Sequence, residues 1–177
     1  MSYTISFSLK GETSTVSYIY EVEGNNVKEI TYYPDGRIMY EVDKTFDENN
    51  NILVEYRKDP NGYYGWDYRI LYEYDKKNKL IERKWFGPRR EEPSIVNYEY
   101  DPNGNVILEI TKIGITPHSI KTIKYDNKNS VIEEKLVMAD NTIVHKKNYR
   151  IKYDDRGNWV EKIFFEFDDP IFIKDRE

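Results

Sequence analysis

Five aspartates recur along this chain at nearly even spacing, each directly after an aromatic residue: Phe46-Asp47, Tyr74-Asp75, Tyr100-Asp101, Tyr125-Asp126 and Tyr153-Asp154. Carboxylates at fixed intervals suggest a calcium ladder, but the Gly-Gly-x-Gly-x-Asp pattern of calcium-binding repeats is missing. Turn capping explains the aspartates without a further assumption, because an Asp side chain accepts hydrogen bonds from the backbone just ahead of it. Other carboxylates come in adjacent pairs, Glu91-Glu92, Glu133-Glu134 and Asp168-Asp169. A glycosidase needs two carboxylates about 5–10 Å apart in a cleft. Neighbours on a strand point to opposite faces, which removes Glu133-Glu134, and the other two pairs sit in predicted turns as solvated caps. The absence of cysteine excludes thiol nucleophiles and Cys-ligated metals. His118, in a predicted turn, and His145, on a predicted strand, lack a second His at metal-ligand spacing. No Ser sits in a Gly-x-Ser-x-Gly elbow, and there is no Gly-rich phosphate loop. A Ser-His-Asp set converges only in space, so sequence leaves it open. The expectation is a non-enzyme with no catalytic residue, no metal site and no cofactor.

The aspartates belong to a repeated phrase. An aromatic residue and Asp are followed by a polar turn, and an apolar residue stands six positions after the aromatic: Ile52, Leu80, Val106, Val131 and Trp159. A looser sixth copy starts at Tyr20, with its apolar residue at Val27. The anchors are 26, 28, 26, 25 and 28 residues apart, a period that signals a repeat architecture. In Asp101-Pro102-Asn103-Gly104, Asp suits the first turn position, Pro the second and Gly the fourth, where φ must be positive. The equivalent fourth residues are Asn50, Asn78, Asn129 and Gly157, so each is Gly or Asn. Each phrase therefore predicts a hairpin closed by a type I turn and a left-handed residue. A second set of turns falls near Pro34 to Gly36, Asp59 to Gly65, Gly87 to Pro93, Gly114 to His118, Ala139 to Asn141, and Asp168 to Pro170. The fold class expected is all-β: an up-and-down antiparallel meander of about fourteen strands, built from hairpin repeats into a curved or coiled sheet. With no linker or composition break, residues 1–177 read as a single domain. Adjacent apolar residues after each turn predict that part of the sheet is covered on both faces.

Composition agrees. One alanine and no glutamine stand against 20 Ile, 11 Val and 17 Tyr, a balance that favours a pleated surface over helices. Met1 to Lys10 has no long apolar run, and no segment is apolar enough to span a membrane as a helix. A cytoplasmic protein that does not bind membranes is expected. The net charge is −5, and residues 1–60 alone carry 11 acidic and 6 basic residues. Acidity repels phosphates and tolerates basic partners, so nucleic-acid binding is not expected. The basic spots Arg89-Arg90 and Lys146-Lys147 are small, and the first is followed at once by Glu91-Glu92.

The units Tyr98-Glu99-Tyr100-Asp101-Pro102-Asn103-Gly104-Asn105-Val106 and Tyr153-Asp154-Asp155-Arg156-Gly157-Asn158-Trp159 resemble the YD repeats of RHS proteins over residues 16–177. Segment Tyr32 to Glu41 is similar to a MORN-type repeat of bacterial antitoxin-like proteins. Here the period is near 26 rather than about 21, Asn, Lys or Ser mostly replaces the Gly-Arg after the turn, and the chain is too short for a closed shell. The resemblance implies a β-sheet scaffold in a bacterial protein, and short relatives of this type act as immunity or antitoxin-like factors. The function expected is a non-catalytic protein-binding repeat protein, an immunity or antitoxin-like factor that neutralises a partner toxin of basic charge. The alternative is a cell-surface or carbohydrate-binding module, and a third reading is a hydrolase using the paired carboxylates, tested first at Glu91 and Glu92. The expected contact residues lie in the less regular turns: Tyr63, Tyr64, Trp66, Tyr68, Arg89, Arg90 and His118. Tyr, Trp and Arg on strand-end loops are typical binding anchors.

Overall fold

Each Asp phrase folds as its residue types dictate. In the computed structural model, the Asp N–H donates to the carbonyl of the fifth turn residue, and the fourth residue's N–H donates back to the Asp carbonyl. The bonds run Asp47–Asn51, Asp75–Lys79, Asp101–Asn105, Asp126–Ser130 and Asp154–Asn158, all at 2.8–2.9 Å. The fourth residues Asn50, Asn78, Gly104, Asn129 and Gly157 all have positive φ, between 60° and 92°. The anchor aromatic then pairs directly with the apolar residue six positions on, as in Phe46↔Ile52, Tyr74↔Leu80, Tyr125↔Val131 and Tyr153↔Trp159, with a bulge just before each anchor.

The structure describes residues 2–9, 12–60, 62, 67–88, 91–166 and 169–175, with side chains for 21–60, 62, 67–88 and 91–166. Among the described residues there are fourteen strands and no helix. The chain divides into two units, Met1–Ser94 and Ile95–Glu177. The first holds β1 (Ser2–Leu9), β2 (Glu12–Glu23), β3 (Asn26–Tyr32), β4 (Ile38–Phe46), β5 (Ile52–Lys58), β6 (Tyr68–Tyr74) and β7 (Leu80–Phe86). The second holds β8 (Ser94–Tyr100, its first residue excepted), β9 (Val106–Ile113), β10 (Thr116–Tyr125), β11 (Val131–Met138), β12 (Ile143–Tyr153), β13 (Trp159–Glu166) and β14 (Asp169–Asp175). Within each unit the hydrogen-bonded order is the chain order, as an up-and-down antiparallel meander requires.

Three expectations need correcting. The looser copy at Tyr20 does not form the five-residue turn. Glu23 pairs with Asn26, leaving a two-residue loop, and Gly24 at φ 57° takes the first central position as a type II′ turn demands. His118 lies on strand β10 rather than in a turn. The loop before it is only Gly114-Ile115, another two-residue turn with Gly114 at φ 56°, and Pro117 already pairs with Lys112. The register slips between Pro117 and Ser119, so His118 is the bulged residue. The less regular edge is also more regular than expected. Tyr33–Arg37 and Met138–Thr142 close with the backbone bonds of the Asp turns, with Gly36 and Asn141 at positive φ. There Asp35 and Asp140 act from the third position, each accepting the amide two residues on.

Among the residues whose side chains are described, buried neighbours on opposite faces occur together on β3 alone, where Ile30 and Thr31 are 9% and 1% exposed. Val42, Val96 and Ile123 are the remaining buried residues described, while every residue of β9, β11 and β13 is half-buried whichever way it points. With so little fully buried, hairpin closure must supply much of the order.

The turns of one edge are also tied to each other. Asn51 donates through its side-chain amide to Asn78 Oδ1 at 3.3 Å, and Asn103 and Asn105 both donate to Asn129 Oδ1 at 3.1 and 3.0 Å. Tyr153 donates its hydroxyl to Asp126 Oδ2 at 2.6 Å, with the Lys128 ammonium 3.9 Å from its ring centroid. Hydrogen bonds to the charged form hold the capping carboxyls below the usual range. The Asn51 side chain is the first cause for Asp47, the Lys79 amide for Asp75, the Asn105 side chain for Asp101 and the Asn158 amide for Asp154. At Asp126 burial works to raise the carboxyl, but bonds from Tyr153, Ser130 and Lys128 outweigh it.

A carboxyl lowered by folding stabilises the native state above its unfolded pKa of about 4, and that stability is lost as pH falls through the folded value. The thermal midpoint should therefore hold between neutral pH and about pH 5 and fall steadily below about pH 4. An Asp101→Asn, Asp126→Asn double variant should melt lower at neutral pH and show a shallower acid decline. Parallel pH profiles for variant and parent would contradict this account of the caps.

Candidate functional site

Of the seven residues expected to bind a partner, Tyr63, Tyr64, Trp66, Arg89 and Arg90 lie outside the described residues. Tyr68 opens β6 in the first unit, and exposed His118 sits at the β10 bulge in the second. Tyr68 is half-buried and donates its hydroxyl to Glu55 Oε1 at 3.3 Å. The His118 carbonyl accepts the Ala139 amide, which joins the start of β10 to the β11–β12 turn.

The register shows what shares a face with Tyr68. Tyr68 pairs with Arg57, and Arg57 with Val42, so Tyr40, Arg57, Tyr68 and Tyr72 point the same way. Arg57 lies 3.9 Å from the Tyr40 ring centroid and 5.9 Å from that of Tyr68, a guanidinium flanked by two phenols. Glu55 stands between the Tyr68 hydroxyl and Tyr72. The Tyr72 phenol is pushed up to about 12, first by burial and then by the Glu55 charge, with the Arg83 charge opposing. The result is a half-exposed patch of aromatics with two cations, Arg57 and, opposite Tyr72, Arg83, and the Glu55 carboxylate. Sequence reasoning missed Arg57 and Tyr40 because their neighbourhood exists only through cross-strand pairing.

A second feature of the first unit is an open groove of about 610 Å³ beside the β2–β3 hairpin. Glu21, Glu23 and Asp43 line it with Lys28 and Lys44, and Val22 stands 70% exposed at its rim. Lys28 is paired with Glu41 at 2.9 Å and Lys44 with Glu29 at 3.4 Å, both carboxylates outside the lining. The register puts Glu21, Glu23, Lys28 and Asp43 on one face of these strands and Val22 on the other. Asp43 is paired with Lys58 at 3.1 Å, so the acidic character of that face centres on Glu21 and Glu23. The acidic bias of residues 1–60 is the sequence signal for it.

Neither feature is built for acid–base chemistry. Glu133 meets Lys124 at 2.8 Å while Glu134 faces Lys121 on the opposite side of β11, so this pair is divided between faces. Glu91 and Glu92 are exposed, and the side chains of Asp168-Asp169 lie outside the described residues. His145 contacts Glu166 at 3.4 Å. No group of three or more His, Asp or Glu among the described residues is placed to hold a metal. The repeated aspartates spend one carboxylate oxygen on their own turn, as with the Asp47 Oδ1 that accepts the Asn49 and Asn51 amides at 2.8 Å.

Spectrophotometric titration of the phenols tests the Tyr68–Glu55–Tyr72 patch. A component ionising near pH 12 should be present in the parent and missing in Tyr72→Phe. Overlapping titrations, with circular dichroism showing both proteins folded, would remove Tyr72 from the patch.

No family model matches this chain, and no curated protein matches it. Among solved structures it is similar to a porin-like protein from Bacteroides uniformis ATCC 8492, with 11% identity, 97% of this chain and 82% of that chain covered, and a TM-score of 0.54. At that identity the likeness is one of fold alone.

Proposed function

We propose that this chain is a non-catalytic, protein-binding β-repeat protein that acts in the cytoplasm as an immunity or antitoxin-like factor and neutralises a basic partner toxin. The observation that carries this reading is the acidic face of the β2–β4 strands, where Glu21, Glu23 and Asp43 stand on the same side of the groove. A partner that brings Lys or Arg there gains charge complementarity and a steered approach. The resemblance to YD repeats supports the same reading.

The charges on the strands support work in water. In the first unit Glu29 and Lys44 occupy one face while Lys28, Glu41, Asp43 and Lys58 occupy the other. In the second unit Glu109, Lys121 and Glu134 form a row on one face, and Lys124 and Glu133 stand on the other. Charges mid-strand on the lipid face of a membrane barrel are destabilising, by about 2–4 kcal/mol for Lys or Arg at the midplane.

An affinity pull-down from cells that carry the neighbouring genes should recover a basic protein. Recovery should drop strongly for a Glu21→Lys, Glu23→Lys double variant that keeps the parent's melting temperature. Failure to recover any protein partner, or equal recovery by the variant, overturns the proposal.

A second reading, a carbohydrate-binding module, is favoured by the Tyr40–Arg57–Tyr68 patch with Glu55 at its centre. Stacking of sugar rings on the phenols and hydrogen bonds to Arg57 and Glu55 would provide recognition. On a glycan array this reading expects binding that Tyr68→Ala and Arg57→Ala abolish, and a silent array removes it.

A further inference from the structure

We propose that the β10–β13 face of the second unit is a binding surface of opposite sign, fitted to an acidic protein segment that carries apolar side chains. The sequence already marks Lys146-Lys147 as a basic spot, and the strand register shows what it joins. Lys146 pairs directly with Lys135 across β11–β12, so two ammonium groups stand side by side on one face. Like charges placed directly opposite each other in a sheet are destabilising, and a chain of net charge −5 has no general shortage of anions to place there.

The same face carries Lys124, Arg150 and Lys152. Across β10–β13 this makes five cations against two carboxylates, Glu133 and Glu161. Glu133 already meets Lys124 at 2.8 Å, and Glu161 stands opposite Lys152. Lys135 is paired across the strands with Thr122 and Lys146, and Arg150 with Ile163, so the excess of cations centres on Lys135 and Arg150. There Lys146, Asn148, Arg150 and Phe165 border a shallow hollow of about 390 Å³, and the exposed Arg150 guanidinium lies 5.5 Å from the Phe165 ring centroid. The carboxylates that would balance this charge face the other way: Glu134 is directed at Lys121, and Glu166 at His145.

An apolar row runs beside the cations. Ile120 pairs with Val137, and Val137 with Ile143. Ile120 and Ile143 are 45% and 43% exposed. A ligand lying along the strands would meet this row and then the Lys135–Lys146 row about two residues on, a distance of about 7 Å. Side chains at alternate positions of an extended peptide repeat at that interval, with carboxylates on the lysines and apolar groups on the isoleucines. A nucleic acid fits less well. It needs a longer cationic stripe with several stacking aromatics, and the remaining surface repels a polyanion.

The probe is a short fluorescein-labelled peptide of repeated Glu-Ser-Leu-Ser units, which puts Glu and Leu at alternate positions of one face, titrated with the full chain and followed by anisotropy. Saturable binding is expected, weakening as salt rises. Lys135→Glu, Arg150→Glu should reduce affinity about tenfold or more, while Lys76→Glu, the same kind of charge reversal in the first unit, should change it less than about twofold. Lys135→Thr separates binding from folding: it relieves the lysine contact, so the melting temperature should hold or rise while affinity falls. The Glu21→Lys, Glu23→Lys variant should bind the peptide as the parent does, which keeps this surface distinct from the acidic groove. The proposal is overturned if Lys135→Thr leaves affinity unchanged. It is equally overturned if a single-stranded oligonucleotide of equal charge binds more tightly than the peptide. Concentration-dependent self-association that Arg150→Glu abolishes would likewise overturn it, because the occupant would then be a second copy of this chain.

Discussion

The hydrogen bonds from each turn's own amides to the aspartate at its start are the constraint on which the repeat depends. A type I turn with a left-handed fourth residue leaves the amides of its third and fifth residues pointing inward. Asp126 Oδ1 accepts both at 2.9 Å, from Lys128 and Ser130, and Asp154 Oδ1 does the same for Arg156 and Asn158. The anchor aromatic serves the next level. The phenol of one repeat sits against the aspartate of the repeat before it, as a hydrogen bond from Tyr153 to Asp126 and as charge influence from Asp47 on Tyr74 and from Asp101 on Tyr125. A Tyr-Asp dipeptide thus closes one hairpin and reaches back to another. Two strands separate successive turns on that edge, about 10 Å, which is within the combined reach of a Tyr and an Asp or of paired Asn side chains.

This arrangement explains a composition lean in aliphatic residues and rich in tyrosine. Within each unit the described strands touch only their sequence neighbours. Half-buried positions therefore dominate, and they reward side chains with an apolar body and a polar tip. Cations lie across rings on adjacent strands, with Arg69 near Phe86 at 4.9 Å and Lys162 near Tyr149 at 4.5 Å. Ion pairs such as Lys28–Glu41 are partly exposed and individually weak. Stability in such a scaffold comes from many modest nearest-neighbour terms, which is the energetic character of repeat proteins.

Strand number and the Asp hairpins were legible because turn chemistry is local. Asp101-Pro102-Asn103-Gly104 carries its own geometry. Tyr33–Arg37 and Met138–Thr142 were harder to recognise as the same turn, since closure depends on Gly36 and Asn141 at the fourth position and not on Asp at the first. His118 looked like loop because Gly114 and Pro117 bracket it. A two-residue turn ends before Pro117, and a bulge absorbs the irregularity. The binding features were mostly illegible for a different reason. Lys135 and Lys146 are eleven positions apart, and Tyr40 and Arg57 seventeen, so only the register makes them neighbours. Composition foretold the acidity of the first sixty residues but not which face of which strand would show it.

The functional proposals follow from how a meander of this kind uses its faces. Catalysis depends on groups drawn out of water, where a small set of charges acts in a low-dielectric cleft. Here the concavities are open, and the strands offer charge on both sides. On the proposed reading such a surface would recognise a partner by complementarity of sign and shape over several strands, with affinity tuned one side chain at a time. Hairpin closure lies in the turns and recognition on the strand faces, so the face residues can change without disturbing the Asp caps. A repeat scaffold can in that way keep one fold while presenting an acidic groove in one unit and a cationic face in the other.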